Sequence, residues 1–342
     1  MVIVDQVSAA IPVFKWFTSA RILFYCHFPD LLLAQHAGGL RRAYRAPLDW
    51  LEQTTTGMAD EVLVNSAYTQ RVFADTFRRL HARGVRPGVL HPAVVVPQEA
   101  ALREAESWWH EGLSVEAVEF VSAGPTFLSI NRFERKKGIG LAIQALSELL
   151  ARQAEAQREG RNGGVAAAPA GSRLVVAGGY DPRLPENVEH LEELRALAGE
   201  LGLRGSVLFL PSFSDSQRAS LLAAAVGVVY TPQNEHFGIV PLEAMAAARP
   251  VLACNSGGPT ESVVDVKTGF LCEPTPAAFA DAMAKLLAPG ATTQLGTAAR
   301  SHVQAQFSRA AFGDRLHRLV LDLAARGAPA RATAIKAPED RH

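Results

Sequence analysis

The segment TPQNEHFGIVPLEAMAAARPVLACNSGGPTESV (231–263) gives the clearest indication of the fold of this 342-residue chain. It follows a short apolar run and continues as a loop, a helical stretch that opens near Pro241, a second apolar run and a glycine turn. Short buried strands that alternate with amphipathic helices are typical of βαβ units in parallel sheets. The segment therefore predicts one repeat of a parallel α/β fold.

The same alternation extends in both directions along the chain. Besides an entry strand at Val2–Val4, the predicted strands are Ile22–Cys26, Glu61–Asn65, Thr126–Ile130, Leu174–Ala177, Val207–Leu210, Val226–Tyr230, Val251–Cys254 and Gly269–Leu271. The predicted helices include Gly140–Arg152, Val188–Leu201, Ser216–Ala225 and Pro241–Ala248. This order of elements favours parallel sheets built from successive strand–helix repeats.

Composition excludes several classes of protein. Lys and Arg total 34, as do Asp and Glu, so the overall charge gives no case for nucleic acid. The three cysteines are far apart and form neither a disulfide framework nor a zinc spacing. No apolar run reaches the roughly 18–20 residues that cross a bilayer. There is no D-x-D pair or metal-ligand cluster, so we expect neither a protein-bound metal nor another cofactor.

The pattern predicts two domains with a boundary near residue 124. The first lacks the glycine turn that normally follows the first strand of a nucleotide-binding domain, so we expect either an N-terminally shortened form or a domain that has lost that unit. The Gly-rich stretch Glu159–Ser172 is expected to be a flexible insertion. The predicted divisions are a first domain over 1–123, a nucleotide-binding domain over 124–305, a C-terminal helix over 306–326 and a disordered tail over 327–342.

The loop before the helix at Pro241 contains candidate ligand-binding groups. Glu235 and Glu243 stand eight residues apart across it. The backbone N–H groups of Phe237, Gly238, Ile239 and Val240 are expected at a helix N-terminus, which favours anions. The alternative is that Glu235 caps the helix and Glu243 is a solvated residue.

The stretch SINRFERKKG (129–138) places cations at the end of a predicted strand. Ligands of open α/β sheets bind at the carboxyl ends of strands, so Arg132 and Lys137 could neutralise a diphosphate. Arg135 and Lys136 are expected to face solvent. A plain solvated turn is the alternative reading of the whole cluster, and NSGGP (255–259) could equally be a plain turn or a ligand contact.

Two features lie in the first domain. His27 follows the predicted strand Ile22–Cys26 and is expected to face a cleft between the domains. The stretch RVFADTFRRLHARGVR (71–86) predicts a basic amphipathic helix. That helix either packs on the core with a solvated basic face or rests on anionic lipid headgroups.

The E-x7-E pattern with FGIVPLEAM and SGGP resembles the retaining glycosyltransferases of the two-Rossmann (GT-B) architecture. Longer stretches of the sequence are more specific, and they resemble the GDP-mannose-dependent α-1,3/α-1,6-mannosyltransferases of the dolichol-linked oligosaccharide pathway. These stretches are CHFPDLLL (26–33), YRAPLDWLEQTTTGMADEVLVNS (44–66), SINRFERKKG, AGGYDPRLPENVEHLEEL (177–194) and NEHFGIVPLEAM (234–245). The resemblance implies two Rossmann-like domains facing a cleft, the first incomplete at its N-terminus, where the family's glycine turn and hydrophobic stretch are missing.

The resemblance also implies roles for individual residues. Arg132 and Lys137 would hold the GDP diphosphate, and Glu243 would bind the ribose. Glu235 and the backbone of Phe237–Val240 would hold the mannosyl group, and His27 would approach the sugar. In the segment Pro211–Ser214, Ser212 and Phe213 would border the guanine.

The implied partners are GDP-mannose, a dolichol-diphosphate oligosaccharide, a membrane surface at the cytosolic face of the endoplasmic reticulum, and other mannosyltransferases of the pathway. Two alternatives stay open. One is a GT-B transferase that uses another sugar nucleotide and a soluble acceptor. The other is a non-catalytic shortened form that binds a nucleotide sugar or a partner transferase.

Overall fold

The computed structural model describes residues 1–33, 39–158 and 171–326. These residues contain two parallel β-sheets. The chain divides into two units. Of the described residues, the first contains 1–33, 39–64, 70–90 and 314–326. The second contains Asn65–Thr69 and His91–Gly313. The α/β class predicted from the alternating pattern is confirmed in both units.

The sheet of the first unit has the strand order β1-β2-β3-β4, and all its pairings are parallel. These strands are β1 (Val2–Asp5), β2 (Ile22–Cys26), β3 (Glu61–Val64) and β4 (Gly88–Val89). The helices between them are α1 (Ile11–Phe17), α2 (Asp30–Leu33), α3 (Gly39–Thr56), α4 (Ala67–Thr76) and α5 (Arg78–Ala82). Buried side chains from β1 to β3, α1, α4 and α5 form the core of this unit.

The predicted basic helix over 71–86 is observed as two helices, α4 and α5. Phe77 lies between them with non-helical backbone angles, and its ring contacts Phe73 edge to face at 4.8 Å. Both rings and Leu80 are buried in the core of the first unit, whereas Arg78 and Arg79 are exposed. The apolar side of these helices is therefore packed on the core, and contact of the exposed basic face with anionic lipid headgroups stays a prediction.

The sheet of the second unit has the order β10-β9-β8-β5-β6-β7, and all its pairings are parallel. Its strands are β5 (Thr126–Ile130), β6 (Arg173–Gly178), β7 (Val207–Pro211), β8 (Gly227–Tyr230), β9 (Val251–Cys254) and β10 (Gly269–Cys272). Counted from β5, this is the doubly wound order 3-2-1-4-5-6. The predicted strands of this region are confirmed to within one residue at each end.

Helices cover both faces of this sheet. They are α6 (Glu99–Trp108), α7 (Val115–Ser122), α8 (Gly140–Arg158), α9 (Pro185–Glu200), α10 (Asp215–Ala224), α11 (Ile239–Ala246), α12 (Pro259–Ser262), α13 (Pro276–Leu286) and α14 (Ala291–Gln306). A further helix, α15 (Arg309–Ala325), begins in the second unit and continues into the residues of the first. Two buried apolar clusters, one on each side of the sheet, form the core.

The point where the strand order reverses positions the site. β5 pairs with β6 on one side and with β8 on the other, so the connections from β5 and β8 leave in opposite directions. A crevice opens at the carboxyl ends of two such strands, and ligands of open α/β sheets bind there. Residues that follow Ile130 and Tyr230 therefore stand at this point.

The units differ from the predicted domain boundaries. Residues 314–326, assigned to a separate C-terminal helix, group with the first unit. Residues 65–69 and 91–123, assigned from the sequence to the first domain, group with the second unit. Val94 accounts for part of this, since its N–H donates to Phe307 O at 2.9 Å and it is buried in the core of the second unit. The predicted tail and all but the last two residues of the predicted insertion lie outside the described residues. Over the described ranges, no helix is both long and apolar enough to span a bilayer.

Candidate active site

An ion pair joins the connections that leave β5 and β8. Lys137 ends a short 3-10 turn after β5, and Glu235 lies in the loop after β8. Lys137 Nζ is 2.5 Å from Glu235 Oε2, and the two side chains are 13% and 22% exposed. Thr231 Oγ1 also donates to the carbonyl of Lys137 at 2.8 Å. The structure thus brings together the predicted diphosphate-binding cation and the predicted sugar-binding carboxylate.

Tyr230, the last residue of β8, supports the same carboxylate. Its side chain is buried, and its hydroxyl forms a hydrogen bond with Glu235. Burial raises the pKa of Tyr230, and the neighbouring negative charge of Glu235 raises it further. The phenol therefore stays protonated and donates, so Glu235 is held by a phenol and an ammonium group. Sequence reasoning treated Tyr230 only as a strand residue.

The glycine turn after β9 packs directly against the loop of Glu235. Gly258 N donates to Glu235 O at 2.8 Å. A Cβ at Gly258 would overlap the backbone of Phe237, and one at Gly257, where φ is +64°, would overlap the backbone of Glu235. These glycines allow two backbone segments to touch, which no other residue would permit. The structural alternative for NSGGP is therefore observed, and its contact with a ligand stays a prediction.

Helix α11 begins at Ile239, two residues before the predicted opening near Pro241. Gly238 precedes it with φ of +85°, a conformation that favours glycine. The first N–H groups of a helix have no partner within the helix, so those of Gly238, Ile239 and Val240 are placed to meet an anion. The role of the Phe237–Val240 backbone in sugar or phosphate binding stays a prediction, and the Phe237 side chain is buried.

Glu243 of α11 forms an ion pair with Arg218 of α10. Arg218 of α10 lies 3.1 Å from Glu243 and 5.5 Å above the ring centroid of Phe213. Glu243 and Arg218 line a cavity of about 640 Å³ together with apolar side chains of α10 and α11. The predicted ribose residue and a predicted base-side residue are therefore linked through Arg218, which the sequence analysis did not identify.

Ser212 lies within the segment Pro211–Ser214, which is predicted to border the base. It has φ of +63°, and its N–H donates to Gly178 O at 2.7 Å. Its hydroxyl donates to Tyr180 O at 3.1 Å, so the turns after β6 and β7 are tied together. Ser212 itself remains exposed.

The other cations of the stretch 129–138 have separate partners. Arg132 lies 2.9 Å from Glu134 and is largely exposed, and Lys136 also lies 3.0 Å from Glu134. Arg135 binds Glu189 and Glu193 on α9. The hydrogen bonds from Arg135 lower the pKa of Glu193 to about 2. Arg135 and Lys136 face solvent as expected.

His27 belongs to the first unit, at the carboxyl end of β2. Its Nε2 lies 2.8 Å from Asp5 Oδ1, and its backbone N–H donates to Gln6 Oε1 at 2.9 Å. The imidazole is half exposed. Its predicted approach to the sugar stays a prediction.

A second carboxylate, Glu261, was also missed. It accepts hydrogen bonds from the N–H groups of Ala67 and Tyr68 and lies 3.0 Å from His91 Nε2. No local spacing could have indicated these contacts, because 170 residues separate His91 from Glu261. In the described part of the chain, no group of three or more His, Cys, Asp or Glu residues could hold a metal ion.

Comparisons with solved structures agree with the two-sheet architecture. The chain matches sucrose-phosphate synthase from Thermosynechococcus elongatus with a TM-score of 0.69 and 23% identity, over 95% of this chain and 74% of that chain. It matches Anabaena Alr3699/HepE in complex with UDP with a TM-score of 0.69 and 17% identity, over 94% and 78% of the two chains. At these identities the likeness shows the fold, which is GT-B.

Comparisons of sequence are more specific. The model of the family "Glycosyl transferases group 1" matches residues 115–302. Alpha-1,3/1,6-mannosyltransferase ALG2 of Mus musculus is 46% identical over 94% of this chain and 73% of its own length. The protein of the same name from Dictyostelium discoideum is 40% identical over 94% of this chain and 75% of its own length. The chain therefore belongs to the group 1 glycosyltransferases and, among these transferase enzymes, to the α-1,3/1,6-mannosyltransferase family.

Proposed function

We propose that this chain transfers mannose from GDP-mannose to a dolichol-diphosphate-linked oligosaccharide during assembly of the N-glycan precursor. It forms α-1,3 and α-1,6 linkages with retention of configuration. Membership of the family implies a nucleotide-sugar donor and a glycan acceptor. The observation that carries the proposal is 46% identity over 94% of the chain to a mammalian α-1,3/1,6-mannosyltransferase. The placement of Lys137 and Glu235 where doubly wound sheets bind nucleotides supports it.

In the proposed complex the donor lies across the carboxyl ends of β5 and β8. Arg132 and Lys137 hold the diphosphate, and Glu243 binds the ribose hydroxyls. Ser212 and Phe213 border the guanine. Arg218 supports this assignment because it connects Glu243 to Phe213.

The reacting sugar lies against Glu235 and the backbone at the start of α11. The bond between mannose C1 and the phosphate oxygen breaks, and C1 forms a bond to the acceptor hydroxyl oxygen on the same face. The proton of that hydroxyl passes to a phosphate oxygen of the departing GDP. Lys137 and Arg132 neutralise the charge that develops on this leaving group, an interaction that strengthens in the transition state. His27 is proposed to contact the sugar.

We propose that these cations act without a protein-bound metal or other cofactor. Neutralisation of a diphosphate requires positive charge near its oxygens, and two basic side chains supply it. Activity in the presence of excess EDTA tests this point. Loss of activity that added Mg²⁺ restores would show that the cations are insufficient.

We propose that the reaction takes place at the cytosolic face of the endoplasmic reticulum, alongside other mannosyltransferases of the pathway. A dolichol-linked acceptor requires the enzyme to meet a membrane surface. In the first unit, Trp16 and Phe17 at the end of α1 are 78% and 81% exposed. Such aromatic side chains favour the interface between lipid and water, which supports this helix as a point of membrane contact.

The full chain, incubated with GDP-mannose and a defined dolichol-diphosphate oligosaccharide in vesicles, tests the main proposal. We expect mass spectrometry to show products with one and two added hexoses. Digestion with linkage-specific mannosidases should assign them to the α-1,3 and α-1,6 positions. UDP-glucose serves as the control donor. Transfer from UDP-glucose, transfer to a soluble glycan only, or no transfer would each contradict the proposal.

A further inference from the structure

Glu261, a carboxylate that is not among the proposed donor-binding residues, has a hydrogen-bond partner at each of its oxygens. Glu261 of α12 is 16% exposed. Its Oε2 accepts the Ala67 N–H at 2.7 Å and lies 3.0 Å from His91 Nε2, while its Oε1 accepts the Tyr68 N–H at 2.8 Å. Burial alone would raise the pKa of Glu261, but the hydrogen bonds outweigh it, and the net pKa lies below its ordinary value. Glu261 is therefore ionised at neutral pH, and His91 is the donor.

Two further contacts connect the residues bound by Glu261 to the loop of Glu235. The His91 ring stacks on the Phe237 ring, with centroids 5.4 Å apart and an interplanar angle of 20°. Ser66, which precedes the residues bound by Glu261, donates its hydroxyl to His236 O at 2.6 Å. The loop over residues 235–237 is thus bounded by Ser66 and His91 as well as by the glycine turn that includes Gly258.

We propose that Glu261 is a positioning residue for the transfer reaction, which it supports by fixing His91 and residues 66–68 against the loop that carries Glu235. This inference rests on the proposed function for the role of Glu235. Glu261 accepts three hydrogen bonds with two oxygens, so an amide in its place cannot satisfy all three donors. The loop then loses the restraint on the side of Ser66 and His91, and Glu235 is no longer held where the sugar binds.

Hydrogen exchange of the full chain tests the restraint without any need for activity. In Glu261→Gln, we expect the amides of Ala67 and Tyr68 to exchange about ten-fold faster or more, because they lose charge-assisted hydrogen bonds. The amides of Asn234 and Gly258, whose hydrogen bonds hold the loop of Glu235, should also exchange about ten-fold faster or more. His91→Ala should accelerate Asn234 and Gly258 but leave Ala67 and Tyr68 within about two-fold, because Glu261 still binds both of their N–H groups. Asp265→Asn is the matched control, since that carboxylate accepts the Leu271 N–H. Unchanged exchange at Asn234 and Gly258 in Glu261→Gln would overturn the proposal.

Kinetics then separate positioning from a general loss of structure. Glu261→Gln should lower kcat by about ten-fold or more while the KM for GDP-mannose changes by less than about three-fold. In a Glu235→Gln background the same change should have little further effect, because residues that act through one another are not additive. Equal effects of Glu261→Gln in both backgrounds, or a loss matched by Asp265→Asn, would overturn the proposal. Wild-type chain that transfers no mannose would instead contradict the proposed function, and the exchange experiment would still stand.

Discussion

Lys137 Nζ lies 2.5 Å from Glu235 Oε2, although 98 residues separate them in the sequence. The pair joins the ends of β5 and β8, where the strand order of the second sheet reverses. Because each side chain neutralises the other, removal of Lys137 would leave a partly buried carboxylate beside an anionic donor. The two proposed roles, diphosphate binding and sugar binding, are therefore electrostatically coupled.

Lys137→Ala tests this coupling. We expect kcat/KM for GDP-mannose to fall about ten- to a hundred-fold, because a charge-assisted contact is lost and Glu235 is left unpaired. Lys136→Ala is the control, since Lys136 is exposed and its ion pair with Glu134 should contribute little. Steady-state kinetics at saturating acceptor measure both. A larger effect at Lys136 would show that the wrong lysine has been assigned to the donor.

Glu243 and Glu235 should differ in which kinetic parameter they control. Glu243→Ala should raise the KM for GDP-mannose about ten-fold with little change in kcat, because a ribose contact is equal in ground and transition states. Glu235→Gln should mainly lower kcat, since contacts at the sugar can strengthen as charge develops. Donor-binding calorimetry with kinetics distinguishes them. Similar small effects from both variants would rule out separate roles.

The lowered pKa of Glu261 predicts that its contribution to the free energy of unfolding depends on pH. Its pKa in the folded chain is below the ordinary value of 4.5, so its ionised contacts stabilise the fold above pH 4.5. That contribution is lost as pH falls below 4.5 through the folded-state pKa. The difference in the free energy of unfolding between wild type and Glu261→Gln should narrow as the pH falls below about 4.5. Urea unfolding at several pH values measures it, and a gap that widens in acid would contradict the assignment.

Gly258→Ala should destabilise the second unit. The added Cβ would overlap the Phe237 backbone, and relieving such an overlap typically costs about 1–3 kcal/mol. Gly205→Ala is the matched control, because nothing lies within 4 Å of a Cβ there. Denaturant unfolding compares the two. Equal midpoints for both variants would mean that the loop can move away from the turn at no cost.

Membrane contact through α1 can be tested by flotation. Trp16→Ser combined with Phe17→Ser should abolish most binding to phosphatidylcholine vesicles, because the two aromatic side chains are the proposed contact. Trp108→Ser is the control, as Trp108 is an exposed tryptophan of the second unit. Since the contact is apolar, added salt should change binding little. Flotation that survives the double change would place the membrane contact elsewhere.

The strands of the second sheet could be predicted because each is a short buried run between amphipathic helices. Thr126–Ile130 and Val251–Cys254 were predicted with their observed bounds. Strand β4 was not predicted, because two residues of which one is glycine carry no alternating pattern. The break at Phe77 was missed for a related reason, since its spacing to Phe73 and Leu80 fits one continuous helix and only the backbone angles show two.

The candidate site was predictable only where motif residues follow strands. Lys137 and Glu235 were identified separately, but their pairing depends on β5 and β8 being neighbours in space. Tyr230, Arg218 and Glu261 were missed because each acts through residues that the fold alone brings near. From the sequence alone, a tyrosine at a strand end is interpreted as a core residue, and a carboxylate in a helix is interpreted as a solvated one.

The contact between the glycine turn and the loop of Glu235 limits how this enzyme could be redesigned. Since a Cβ at Gly257 or Gly258 would overlap that loop, its path is shaped by the turn as much as by its own residues. If residues 234–245 were replaced by those of a transferase with another sugar preference, the new loop would pack on a glycine turn, 255–259, that does not match it. Transplants that move 234–245 together with 255–259 preserve the contact, so we expect these two segments to be exchanged as one unit.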